Sequence, residues 1–214
     1  MLFYKFKKPV AILLVAWFLP CLPLWAHKDS SAHKGSSQQK QKARYFIQLP
    51  TGEGIQRKYF TNSELVTQNE EVVRFYDDVI KDKVVLINFI YTNCKNACPL
   101  NSQTFSVIQN LLADQMGSRV RLISISVDPE RDTPAALREF SEKFSPGKGW
   151  KFLTGEKQNI EAVMRKLGPY DPNFKGHSPL FIMGNVKTGH WKRMRGNVSP
   201  ENIVKFLWAL LEKN

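Results

Sequence analysis

Cys94 and Cys98 stand four positions apart in Tyr91-Thr-Asn-Cys-Lys-Asn-Ala-Cys-Pro99, directly after the apolar run Val84-Val-Leu-Ile-Asn-Phe-Ile90. The only other cysteine, Cys21, sits in an apolar segment near the N-terminus. Where a strand gives way to a helix, a sulfur meets unpaired N–H groups and the positive end of the helix dipole, and both favour thiolate over thiol. Two neighbouring thiolates can take a soft ion, Cu(I) or Zn(II) ahead of hard cations, or they can exchange electrons as a dithiol–disulfide couple. The four-residue spacing places both near one face of a helical turn. A bridge inside regular helix would be strained there and easily reduced. Spacing alone leaves metal binding and redox exchange both open, and the bland alternative is a pair of inert buried thiols.

The flanking elements follow from pattern. Glu64 to Phe75 reads as a hairpin, two β-rich runs around a polar turn. Val84 to Tyr91 is apolar almost throughout, as expected of a strand buried on both faces. Leu100, Phe105, Ile108, Leu111 and Leu112 form a helical stripe within Ala97 to Gln115. Val120 to Val127 is a second buried strand, and Thr133 with Pro134 opens a helix running to about Phe144. A strand near Trp150 to Leu153, a helix from Gln158 to Leu167, a hairpin from Leu180 to Met183 and His190 to Met194, and a helix capped by Ser199 complete the chain. This order predicts an α/β three-layer, thioredoxin-like domain with a central mixed sheet and an N-terminal hairpin extension.

In that fold the loop before Leu180 approaches the thiol pair, which makes His177 in Phe174-Lys-Gly-His-Ser-Pro179 the candidate third ligand. Two thiolates and one imidazole suit Cu(I) at low coordination, and Cu(II) with a fourth oxygen or nitrogen donor. Ser178-Pro179 falls where thioredoxin-like oxidoreductases carry a cis-proline; an ordinary trans proline opening a strand is the alternative. Asp128, at the end of the second core strand, either orients a ligand or belongs to a rigid turn capping the next helix. His190 reads as a surface residue. Thr92 stands two places before Cys94, where a peroxiredoxin would need its threonine three places before the reactive cysteine.

The N-terminus divides from the rest by composition. Lys5, Lys7 and Lys8, then apolar Val10 to Leu19, Pro20, Pro23 and Ala26 describe an export signal or membrane anchor over residues 1–26. Pro20 before Cys21 fits lipidation poorly. Residues 27–44 are Ser, Gln, Lys and His with little else and read as a flexible tether, its His27 and His33 solvated. The globular domain is expected over 45–214, facing the periplasm. The 214-residue chain carries a formal charge of +12, which falls by three lysines to +9 without residues 1–26. Such a balance suits acidic partner surfaces or anionic lipid, and no nucleic-acid motif accompanies it.

Several of these stretches together resemble the Sco/SenC family. Val73-Arg-Phe-Tyr-Asp-Asp78, Val85 to Thr92, Cys94-x3-Cys98-Pro99, Ser126-Val-Asp-Pro-Glu-Arg-Asp-Thr-Pro134, Trp150 to Gly155 and His177-Ser178 carry the likeness. The resemblance implies a thioredoxin-fold copper chaperone for cytochrome c oxidase assembly. Cys94, Cys98 and His177 would be its copper ligands, and an oxidase subunit or another periplasmic copper chaperone its partner. The enzymatic alternative is a thiol–disulfide oxidoreductase that uses Cys94 and Cys98 to keep the oxidase's copper-site cysteines reduced. The chain departs from the family pattern at three places. Gly176 replaces the usual acid before the histidine, Gly184-Asn185 replaces an acidic turn, and Lys95 follows the first cysteine where proline is frequent. Lys95 should favour thiolate, while the missing acid removes an orienting partner for the imidazole.

Overall fold

The computed structural model describes residues 46–168, 180–195 and 198–213. The export segment with Cys21, the tether histidines, His177 and Pro179 lie outside the described residues.

Among the described residues eight strands form one mixed sheet. In chain order they are β1 (Phe46–Gln48), β2 (Glu64–Thr67), β3 (Val72–Arg74), β4 (Val84–Ile90), β5 (Val120–Ser126), β6 (Trp150–Thr154), β7 (Leu180–Asn185) and β8 (His190–Arg195). Across the sheet they lie β1-β8-β7-β4-β5-β6-β2-β3. β4, β5 and β6 run parallel, and β7 closes antiparallel against β4 with Asn88 opposite Phe181. The start of β7 therefore lies beside the end of β4, where the chain turns toward the cysteines. β2 and β3 form the expected hairpin, with Leu65 opposite Val73, and β2 adds to β6.

Alternation along β4 separates two cores. Val84, Leu86 and Ile90 face one layer, and Val85 and Ile87 the other. The first layer holds α2 (Ala97–Leu111), α3 (Pro134–Glu142) and α5 (Pro200–Leu211), which bring Phe105, Ile108, Leu137, Phe140, Ile203 and Leu207 onto the sheet. The second holds α1 (Glu53–Phe60) and α4 (Lys157–Leu167), with Phe60, Ile160, Val163 and Met164 turned inward. Strands of the parallel core are buried on both faces for this reason, and their near-continuous apolar sequence reflects it. The three-layer thioredoxin-like architecture expected from the order of elements is the one observed.

Differences from expectation are local. The helix read as Ala97 to Gln115 ends at Leu111 and is followed by a 3₁₀ turn, Ala113–Gln115. The next one stops at Glu142 rather than near Phe144. Phe75 belongs not to the hairpin but to a π-helical turn, Phe75–Ile80, which sinks Phe75, Tyr76, Val79 and Ile80 into the second core. Thr133 caps α3 as expected, its Oγ1 accepting from Ala136 N–H at 3.2 Å, whereas Ser199 precedes α5 without a side-chain cap. β1 and α1 have no counterpart in the pattern reading. Neither contains enough apolar residues to announce itself, and α1 is anchored chiefly by Phe60, whose ring lies 4.8 Å from that of Trp191.

Candidate functional site

β4 ends at Ile90, and the turn Tyr91 to Asn93 delivers Cys94 just ahead of α2. Cys94 N–H donates to the Tyr91 carbonyl at 3.1 Å, which closes that turn. Cys98 is the second residue of α2, and its backbone N–H, one of the helix's unpaired donors, points to Cys94 Sγ at 3.3 Å. The sulfur of Cys94 thus does at this helix start what a capping oxygen does elsewhere. Both cysteines are free thiols; Cys94 is half-buried and Cys98 is buried. Because Cys94 lies outside the helix, the strain expected of a bridge within regular helix does not apply to the pair.

The two sulfurs differ in character. Burial opposes ionisation of Cys94, but hydrogen bonds from Cys98, from the Asn96 backbone and from Tyr91 outweigh it and hold the thiol below its ordinary range. Cys98 goes the other way. Burial, its hydrogen bond with Cys94 and the negative charges of Cys94 and Asp132 push it up to about 12. The expectation that the helix start favours thiolate therefore holds for one sulfur and fails for the other: Cys98 occupies the helix itself, where its side chain points into the core. Tyr91 is raised in turn, first through its hydrogen bond to Cys94 and then by burial. Lys95 is exposed beside the pair, and the leading favourable contributions at Cys94 are hydrogen bonds.

Beneath this turn lies a residue that pattern reading passed over. Asp132 is 1% exposed. Its Oδ1 accepts from Thr92 N–H at 3.1 Å and from Thr92 Oγ1 at 2.6 Å, and its Oδ2 accepts from Ser126 Oγ at 2.6 Å. The motif Asp128 to Pro134 was legible as a turn, but nothing in it marked which acid faces inward. Asp128 proves to be the turn residue. Its carbonyl accepts from the N–H groups of Arg131 and Asp132, and its carboxylate pairs with Arg131 at 3.6 Å. His190 opens β8, half-buried, with Nδ1 3.1 Å from the Thr188 carbonyl. Among the described residues no three of His, Cys, Asp and Glu converge as a metal cluster, so the thiol pair is the only part of the expected ligand set placed here. Two soft sulfurs in hydrogen-bonding contact are nonetheless a donor pair suited to a soft ion.

The chain is similar to proteins of one family. A family model described as SCO1/SenC matches residues 55–178. A SCO2-like protein of Rickettsia felis is 31% identical over 156 residues, covering 67% of this chain and 73% of its own. The copper-bound structure of ScoI from Bradyrhizobium japonicum superposes with a TM-score of 0.57 at 27% identity, over 69% of this chain and 96% of its own. BsSco, a Sco-family cytochrome c oxidase assembly protein with a disulfide switch, superposes with a TM-score of 0.61 at 25% identity, over 72% and 94% of the two chains.

Proposed function

The chain belongs to the SCO1/SenC family, and on that premise we propose that it is an exported copper-binding protein that delivers copper to cytochrome c oxidase during assembly. The observation that carries the reading is the meeting of two free thiols at the end of the central strand. Copper is the cargo. Cys94 and Cys98 supply two sulfur donors, and His177 is proposed as the third. His177 lies three residues before Leu180 in the sequence, and Leu180 opens β7. That start is beside the end of β4. Two sulfurs and an imidazole hold Cu(I) at low coordination, and Cu(II) with one further oxygen or nitrogen donor. Release proceeds by ligand exchange, which the half-exposed Cys94 permits. Residues 1–26 are proposed to carry the chain across, or hold it to, the cytoplasmic membrane. Residues 27–44 are proposed as the tether. Among the described residues no helix is long and apolar enough to cross a membrane.

One observation favours a second reading. An acidic, half-exposed thiol paired with a buried, weakly acidic one is the usual division between attacking and resolving sulfur. As a reductase, Cys94 attacks a partner disulfide and forms a mixed disulfide. Cys98 then displaces it, so two electrons and two protons pass to the partner and the pair closes as a disulfide.

His177→Ala separates the readings. Copper delivery predicts a drop of about a hundredfold in copper affinity on losing one of three ligands, with failed oxidase maturation and unchanged dithiol reductase activity. Unchanged copper affinity with normal oxidase assembly overturns the delivery reading.

A further inference from the structure

Four consecutive links run from a buried charge to the working sulfurs. Asp132 accepts two hydrogen bonds from Thr92; Thr92 follows Tyr91, whose carbonyl accepts from Cys94 N–H; and Cys94 Sγ accepts from Cys98 N–H. A third bond, from Ser126 Oγ, ties the same carboxylate to the end of β5. Asp132 also sits immediately before the Thr133 cap of α3, where the positive end of the helix offsets part of its charge. Burying a carboxylate is costly unless it is hydrogen-bonded throughout, and apolar residues serve a core as well or better. The site at which this one is spent is the turn that presents Cys94, and its charge is felt at Cys98.

We infer that Asp132 is a positioning residue of the thiol pair, holding the Tyr91–Cys94 turn through Thr92 and setting the balance between dithiol and disulfide. The sign follows from geometry. The turn that Asp132 fixes holds Cys94 Sγ against the Cys98 N–H, and two sulfurs already held together lose less chain freedom when they close a bridge; Asp132 therefore favours closure of the bridge. This inference rests on Cys94 and Cys98 being the working groups of the site, but not on copper being the cargo.

The test is equilibration of the full chain, wild type and variants, with glutathione mixtures at pH 7. Two glutathione thiols give two electrons and two protons to the Cys94–Cys98 disulfide. Its S–S bond breaks, and the S–S bond of glutathione disulfide forms. Asp132→Asn is expected to raise the equilibrium constant for this reduction about fivefold or more. Thr92→Val keeps the charge and the backbone bond but loses the hydroxyl; it is expected to move the constant at least about threefold, and Thr92→Ser to restore the wild-type value. A Thr92→Val constant within about twofold of wild type overturns the inference, whether or not Asp132→Asn folds. A folded Asp132→Asn with an unchanged constant, or one shifted toward disulfide, overturns it equally. Copper titration of the wild type is read separately, so failure of copper binding strikes the delivery reading and leaves this result standing.

Discussion

At the residue scale the site is built on inequality between two identical side chains. Cys94 receives hydrogen bonds from a helix start, whereas Cys98 is buried behind it, and their acidities part accordingly. With limiting iodoacetamide under reducing conditions, Cys94 is expected to be labelled well ahead of Cys98 between about pH 7 and 9, as peptide mapping would register. Equal labelling would contradict the geometry. The same inequality bears on stability. The Cys98 thiol is raised to about 12 in the folded chain from an ordinary value of 9. The unfolded chain thus releases its proton first, and folding binds more protons than unfolding between those values. The contribution of Cys98 is present in full below pH 9 and is lost as pH rises toward 12. Denaturant midpoints of the reduced protein should fall more steeply over that window in the wild type than in Cys98→Ser, which does not titrate there. Parallel curves would refute the assignment. The sequence motif disclosed both cysteines and their place at the end of the strand, but which sulfur is buried and which is half-exposed depends on the fold. Burial depends on the helix beginning at Ala97 and not at Cys94.

At the scale of elements, the departure from the family pattern at Gly184-Asn185 acquires a physical reason at each residue. Gly184 faces Trp191 across β7 and β8, and a Cβ there would stand 2.3 Å from the indole. Glycine leaves room for the ring that also packs on Phe60. Asn185 beside it is buried, and its Nδ2 donates to the carbonyls of Leu210 and Lys213 at 2.8 and 3.1 Å, at the end of α5. Its Oδ1 accepts from Thr188 N–H at 3.1 Å. An acid at this position has no N–H to give and adds negative charge at the negative end of a helix. Asn185→Asp is therefore expected to cost about 2–3 kcal/mol, seen as a fall of several degrees in melting temperature near neutral pH that lessens as the introduced carboxyl is protonated. A melting temperature unchanged from wild type would show that these carbonyls do not need the amide. The parallel strands and amphipathic helices around these residues were legible because burial on two faces or one face writes a period into the sequence. The π-helical turn at Phe75–Ile80 was not, since its apolar residues follow neither a strand nor a helix period. Nor was α1, in which Ile55 is exposed while Gln56 is buried.

At the scale of the molecule, everything described that positions the thiol pair lies between residues 46 and 213, and the sheet is closed on both faces by helices from within that range. Composition alone divides the chain at residue 44, and the edge of the sheet supplies a sharper test of that division. β1 is only three residues long, yet it pairs along β8 from Phe46 to Gln48 and covers what would otherwise be an open edge. Its neighbour Leu49 continues the contact, its N–H donating to the Gly189 carbonyl at 2.8 Å. A chain starting at residue 45 keeps this strand; one starting at residue 52 loses it and leaves β8 with unpaired backbone groups facing solvent. The first truncation is expected to melt within about 2 °C of the full chain and to keep its thiol reactivity. The second should lose several degrees, at about 2–4 °C per kcal/mol for a domain of this size, and associate at high concentration through the bared strand. In cells the first truncation should still fail to support oxidase maturation if residues 1–44 bring the domain to the membrane face. Purified, it should bind copper as the full chain does. Full oxidase maturation by a chain lacking residues 1–44 would refute the role proposed for the leader, and a marked loss of stability in that chain would place part of the fold's support before β1.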